Sequence, residues 1–312
     1  MFKVGIVGCG GIGLTHARNW NSITDAQVVA VVDLNEEKAS AASELCRCPY
    51  YLNLDELPAD LDGISVVTPP AAHFSIVKRL LERGFNVFCE KPLTMNTDEG
   101  ELLDNLAKQQ GKIIAVGFKM RFESIFSEAR KYLSEIGTLR SIVTTKLQAF
   151  NPRPEGAWVK KAGAMYELSI HDFDLLSFIT GLFPQKVLSA RLLHTRGWEK
   201  EDSFAALVEY DQGVSATLQG MYCEQSTFCF RDLTITLLGE HGYMRIERPD
   251  RIILHAKEFQ VIEVQPAEKN AFVLELEHFR RAVEGKCENS LKASDAVRMT
   301  ALIEAIRAFD VN

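Results

Sequence analysis

The chain has 312 residues, of which 46% are hydrophobic and 25% charged, and its formal net charge is −7. This mix supports large cores and excludes extensive disorder, and the length suits two domains. The acidic balance argues against nucleic acid or an anionic membrane as partner, no apolar run nears the ~18–20 residues of a membrane span, and the N-terminus lacks the regions of a signal peptide.

Phe2–Val7 is an apolar run of strand composition. Gly8-Cys9-Gly10-Gly11-Ile12-Gly13 follows it and leads into helical sequence through Trp20. Gln27–Val32 is a second β-rich run ending on Asp33, 20 positions past Gly13. Glycines at this spacing, between a strand and a helix and with an acid at this distance, form a dinucleotide-binding fingerprint. Gly8 permits the tight turn, Gly10 lets backbone approach a pyrophosphate, and Gly13 lets helix and strand pack closely. Gly11 and Ile12 open the helix, whose N-terminal N–H groups favour phosphate. Asp33 can accept hydrogen bonds from ribose hydroxyls, and neither Leu34 nor Asn35 offers a positive charge to a 2′-phosphate. NAD(H) is therefore the expected cofactor, with NADP(H) as the alternative. A glycine turn that only packs a βαβ unit is the rival structural reading.

Glu36–Leu45 reads as a helix. Gly63–Val67 is a short strand that Thr68-Pro69-Pro70 ends abruptly. Prolines cannot continue the ladder, so the chain turns at the strand's C-terminal edge, where ligands of open α/β sheets bind. A helix over Ala72–Arg83, with its stripe of Phe74, Val77, Leu80 and Leu81, leads to Gly84 as C-cap. The strand Asn86–Cys89 then delivers Glu90-Lys91-Pro92. Helix Glu99–Gln109 and strand Lys112–Val116 complete an alternation that predicts a parallel sheet covered on both faces. This α/β unit, residues 1–120, is read as the dinucleotide-binding domain.

Residues 121–312 read as an α+β domain with a large, mostly antiparallel open sheet. Helices are predicted over Ile125–Ile136 and Met165–Thr180, with the strand Leu139–Phe150 and a proline-containing loop Asn151–Gly156 between them. Strands follow at Lys186–Leu193, Ser203–Tyr210, Val214–Met221, Leu233–Leu238, Tyr243–Ile246 and Ile252–His255. Asp211-Gln212-Gly213 is a hairpin signal. Two helices, near Phe272–Glu284 and Ser294–Phe309, close the chain. Alternation around Val214, Ala216 and Leu218 predicts a sheet with one open apolar face, and such a face is usually an interface.

The seven cysteines are odd in number and scattered, without C-x-x-C, so they read as reduced thiols of a cytoplasmic protein. Cys46-Arg47-Cys48 has no second pair or nearby histidine to make a metal site, and no metal is expected. Two other segments carry chemistry. Lys91, at the end of a buried strand, would point into the ligand crevice, and Pro92 restricts it to extended backbone and allows a cis bond. In Glu167-Leu168-Ser169-Ile170-His171-Asp172-Phe173-Asp174, helical spacing makes Glu167 and Asp174 neighbours of His171. A histidine between two carboxylates is oriented by them and raised in pKa, which suits general acid–base work. A surface lysine and a surface-paired histidine are the plain alternatives.

Taken together, the ordered set resembles the glucose–fructose oxidoreductase / inositol dehydrogenase / rhizopine-catabolism (Gfo/Idh/MocA) family. The set is Gly8–Gly13 with Asp33, Thr68-Pro69-Pro70 followed by His73, Glu90-Lys91-Pro92, Gly117-Phe118 with Arg121-Phe122, the Gly163–Gly181 helix with His171 and Asp174, and Gly239–Gly242. The resemblance implies an NAD(P)-dependent oxidoreductase acting on a CH–OH group of a sugar, polyol or derivative, built from a Rossmann domain and an open-sheet domain. It implies a small-molecule substrate and a homodimer or homotetramer assembled through the second sheet. It makes Lys91 and His171 catalytic, with Glu167 where relatives carry an aspartate. Gly8, Gly10, Gly11, Ile12, Gly13, Asp33, Leu34, Thr68, Pro69, His73, Glu90, Lys91, Lys119 and Trp158 fall at cofactor positions, and Arg121 and Asp174 at substrate positions. Thr68-Pro69-Pro70 departs from the commoner T-P-N, and Lys119 replaces a frequent asparagine. Specificity is expected from Phe150–Lys161, Arg121, Tyr222 and Arg231. A non-catalytic NAD(P)-binding regulator of the same fold and an imine or enone reductase are the competing functions.

Overall fold

The structure, a computed structural model, describes residues 1–150, 157–223 and 232–310. The predicted loop Asn151–Gly156, with Arg153, and Arg231 lie outside the described residues. The chain forms two compact units, Met1–Lys119 with Lys269–Val297 and Met120–Glu268 with Arg298–Asn312.

In the first unit, strands β1 (Phe2–Val7), β2 (Ala26–Val32), β3 (Tyr50–Tyr51), β4 (Gly63–Val66), β5 (Val87–Cys89) and β6 (Ile114–Val116) form one sheet in the order β3-β2-β1-β4-β5-β6. Every pairing in it is parallel. Helices α1 (Gly11–Asn21), α2 (Glu36–Cys46), α3 (His73–Glu82) and α4 (Thr97–Gln110) connect the strands. β4, β5 and β6 are buried along their whole length, as a sheet covered on both faces requires. β3 is too short to show a period in the sequence and was not expected.

The segment Lys269–Val297 returns to this unit, whereas the sequence groups both closing helices with the second domain. It begins helix α8 (Ala271–Val283), whose Phe279 packs edge-on against Phe2, Trp20 and Phe88. The physical reason lies at both ends of the segment. Phe279 fills the space over Gly63, where a Cβ would come within 2.7 Å of its ring. Val116 N–H donates to the Leu291 carbonyl, so the returning chain also covers the edge of β6.

The second unit has an eight-stranded sheet. Its strands are β7 (Leu139–Ala149), β8 (Pro184–Leu193), β9 (Ser203–Tyr210), β10 (Val214–Cys223), β11 (Asp232–Gly239), β12 (Gly242–Glu247), β13 (Arg251–His255) and β14 (Phe259–Glu263). They lie in the order β14-β13-β12-β11-β7-β10-β9-β8. Among the described residues only β7 and β10 run parallel; the other pairs are antiparallel. Gln212 and Gly213 both have positive φ, at 63° and 73°, the conformation a tight β9–β10 hairpin needs. Helices α5 (Ser124–Tyr132), α6 (Ala157–Ala162), α7 (Ile170–Thr180) and α9 (Ala293–Asp310) complete the set. Val214, Ala216 and Leu218 are buried, so they line the covered face rather than the open one. The open face carries their polar neighbours together with Leu207, Leu238, Phe259 and Val261, which are exposed.

Candidate active site

Three neighbouring strands of the first sheet, β1, β4 and β5, present the glycine turn, Thr68 and Lys91 at one C-terminal edge. Parallel strands place all their C-termini together, so residues far apart in sequence share one crevice. Gly8 turns with φ of 98°, and a Cβ on Gly13 would come within 2.0 Å of the Gly8 carbonyl oxygen. Both glycines are therefore required by the protein's own packing. Gly10 is different: a Cβ there would meet nothing within 4 Å among the described residues, so their packing does not demand glycine. Open space over Gly10 is what close approach of a pyrophosphate needs. Among the described residues no side chain caps α1, while Asn35, Asn96 and Asn270 cap α2, α4 and α8. The first N–H groups of α1, at Gly11 and Ile12, are thus left for a ligand anion.

Asp33 is fixed beside this turn. One carboxylate oxygen accepts from the Cys9 N–H at 2.7 Å, and the other accepts from the Asn35 N–H at 2.9 Å. Each oxygen keeps a second lone pair for a ribose hydroxyl. Burial and the Asp33 charge push the Cys9 thiol up to about 12, so this cysteine is a packing group rather than a nucleophile. Leu34 projects into solvent.

His73 is wholly buried, with Nδ1 2.7 Å from the Pro92 carbonyl and Nε2 2.9 Å from that of Thr68. Burial lowers its pKa, outweighing both carbonyl contacts. It braces the Thr68-Pro69 turn against the Lys91-bearing turn. Lys91–Pro92 is a cis peptide. Glu90 turns its carboxylate back, accepting from the Lys91 N–H at 3.2 Å and meeting His16 Nε2 at 3.0 Å. Burial pushes the Glu90 carboxyl up, but the His16 hydrogen bond and the charges of His16, Lys91 and Lys119 hold it below the usual range. Lys119 lies over the Phe272 ring, 3.9 Å from its centre.

In the second unit, His171 lies in the first turn of α7, buried. Glu167 precedes it in a π-helical turn, Met165–Ser169. The wider π turn changes the angular step, so the expected i,i+4 face shared by Glu167 and His171 is not that of a regular α-helix. π turns are common at functional sites. Glu201 pins the start of this segment: its side chain accepts from the Met165 N–H at 3.2 Å and from Arg307. Asp174 is gripped on both oxygens by Arg121, a pair nearly closed to solvent. Asp172 pairs with the buried Lys146 of β7. Trp158 packs on α6 against a cluster of Val159, Ala164, Leu168, Trp198 and Tyr222.

Sequence reasoning missed Lys146 and Glu201. Lys146 had a signal: it falls in phase with Ile142 and Thr144, which face the core. A lysine at an inward position needs a buried partner. Glu201 had none, because the Met165 N–H it holds lies 36 residues earlier in the chain.

Residues 2–118 match the GFO/IDH/MocA oxidoreductase family, NAD-binding Rossmann fold, and residues 131–309 match its C-terminal alpha/beta domain. The chain is 28% identical to UDP-N-acetylglucosamine 3-dehydrogenase of Acidithiobacillus ferrooxidans over 69% of this chain and 66% of that protein. It is 24% identical to inositol 2-dehydrogenase of Rhizobium meliloti over 97% and 95% of the two chains. The solved structure of the Acidithiobacillus ferrooxidans enzyme superposes with a TM-score of 0.86 at 23% identity, covering 99% of this chain and 98% of that one.

Proposed function

Because the chain belongs to the GFO/IDH/MocA oxidoreductase family, we propose that it interconverts a secondary alcohol and a carbonyl on a sugar, polyol or sugar derivative, with NAD(H) as cofactor. The observation that carries this reading is the shared edge of β1, β4 and β5. An uncapped, glycine-opened helix and Lys91, just after β5, stand there together. The named relatives, which act on inositol and on a nucleotide sugar, support the substrate class.

The residues present fit a dinucleotide: open space over Gly10, free N–H groups on α1 and a braced Asp33 without a neighbouring cation. A bound nicotinamide supplies the hydride acceptor or donor. Lys91, as an ammonium, donates a hydrogen bond to the substrate oxygen as negative charge develops on it. Such preorganised donation is worth roughly 3–4 kcal/mol in comparable sites. His171 accepts the hydroxyl proton in oxidation and returns it in reduction, a step worth about 10²–10⁴-fold. Glu167 orients His171. Arg121 and Asp174 set the register of α7 from below rather than binding substrate. Trp158, Thr68, Pro69, Leu34 and Lys119 shape the cofactor's surroundings.

We also read the open face of the second sheet, with Leu207, Leu238, Phe259 and Val261 exposed on it, as the contact of a homo-oligomer. The scattered cysteines support our reading of a reducing, cytoplasmic compartment. Among the described residues no helix is long and apolar enough to cross a membrane.

Reduction of NAD followed by absorbance, over a panel of inositols, aldoses and sugar acids, tests the reading. Lys91→Ala should lose at least about 100-fold in kcat while titrating NADH fluorescence with nearly unchanged affinity. Full turnover in that variant would remove Lys91 from the mechanism.

A further inference from the structure

Behind the Lys91 turn lies a cluster that the proposed reaction does not use. Glu275, on α8, is fully buried, and neither of its carboxyl oxygens has a hydrogen-bond partner among the described residues. Its carboxyl, that of Glu90 and a ring nitrogen of His16 lie within 4.8 Å of one another. Phe88 and Phe272 wall the group, their ring centres 5.5 and 5.9 Å from that of His16. The charged or titratable groups acting on the cluster are His16 from α1, Glu90 and Lys91 after β5, and Lys119 after β6.

Two carboxylates cannot both stay ionised at this separation away from water. Glu90 has the better claim to the charge, because His16 and the Lys91 N–H both hydrogen-bond to it. Glu275 has neither. We propose that Glu275 stays protonated in the folded protein at neutral pH, as a positioning residue that leaves Glu90 the single carboxylate holding His16 and the Lys91 backbone. This role in turnover rests on the reading of Lys91 as the reacting cation. The direction of titration agrees: burial pushes the Glu275 carboxyl well above the ordinary range, the Glu90 charge pushes it further, and Lys119 only opposes this. A divalent cation would also satisfy two carboxyls and an imidazole. The nearby Lys91 and Lys119 ammonium groups disfavour it, since they already balance the negative charge.

The linkage has a definite sign. A carboxyl whose pKa is raised in the folded state adds stability that is complete below its unfolded value, about 4.5. That contribution is lost as pH rises towards the folded value. Glu275→Gln cannot ionise and should lack this loss. Denaturant unfolding of the full chain should therefore show the two proteins converging near pH 5. Above that, the wild type should lose ground by up to about tenfold in its folding constant per pH unit. Parallel curves from pH 5 to 9 would overturn the proposal.

Infrared spectroscopy reads the proton directly, and on the wild type alone should the variant fail to fold. A buried carboxylic-acid C=O band should be present at pH 7, vanish on alkaline titration and be missing in Glu275→Gln; its absence from the wild type refutes the assignment. One equivalent of zinc, manganese or iron retained by the wild type and lost in the variant would overturn it in favour of a cation site. In turnover, the alkaline limb of kcat should move to higher pH in Glu275→Gln with KM unchanged, and an unmoved limb overturns the positioning role. These folding and infrared measurements do not depend on catalysis. A fully active Lys91→Ala would defeat the reaction reading and leave the proton assignment standing.

Discussion

The two units bury acidic side chains in opposite ways. In the second, each buried carboxylate of α7 has its own cation: Arg121 for Asp174 and Lys146 for Asp172. In the first, Glu90 and Glu275 stand together, and among the described residues only Glu90 of the two is hydrogen-bonded, to His16 and the Lys91 N–H. A buried carboxylate held by a buried cation makes a pin that anchors its helix. Two carboxyls with one set of donors instead make a site where one group must keep a proton. The difference separates holding a helix from tuning a turn, although both clusters sit beside residues assigned to chemistry.

The largest expected effect comes from breaking a pin. Lys146→Met removes the cation of Asp172 and should cost the second unit about 3–5 kcal/mol, or roughly 10 °C in its melting temperature. Adding Asp172→Leu should restore most of that loss, because an apolar pair needs no charge balance. If the double variant melted no higher than the single one, Lys146 and Asp172 would not be acting as a pair.

A smaller effect sharpens the contrast at acid pH. Glu90 has its carboxyl held below the ordinary 4.5, so it adds stability above that value and loses it as pH falls through the folded value. Glu90→Gln should therefore unfold with a flatter pH dependence on the acid side, while Glu275→Gln differs from the wild type on the alkaline side. Denaturation midpoints from pH 3 to 9 would check both limbs, and equal acid limbs would contradict the assignment of the charge to Glu90.

The smallest effect belongs to a pair in water. Lys78 and Glu82 form an i,i+4 contact with side chains 47% and 40% exposed. Lys78→Ala should change stability by no more than about 0.5 kcal/mol, measurable against Lys146→Met under the same conditions. A loss comparable to the buried variant would mean that burial is not what separates the clusters.

Most of the fold was legible because its signals are local. The glycine turn, the Asp33 spacing, the strand-ending prolines and the stripes of the helices are each set by residues within a turn or a strand of one another. β3 and β14 were missed because two or five residues at a sheet edge show little period. The π turn was missed because Met165–Ser169 carries the same apolar spacing as the helix it enters.

Sequence alone determined the α/β and α+β elements, the dinucleotide fingerprint and the residues Lys91 and His171 as candidates, since backbone preference and hydrophobic period act over a few residues. Only the tertiary structure decided that α8 returns to the first sheet, that Lys146 meets Asp172, and that Glu275 lies beside Glu90. Glu275 falls in the same helical stripe as Phe272 and Phe279, a hint that it is buried, but not of what it is buried against. That partner is 185 residues away in the chain, and electrostatic pairing across such a distance is settled by packing, which no local pattern encodes.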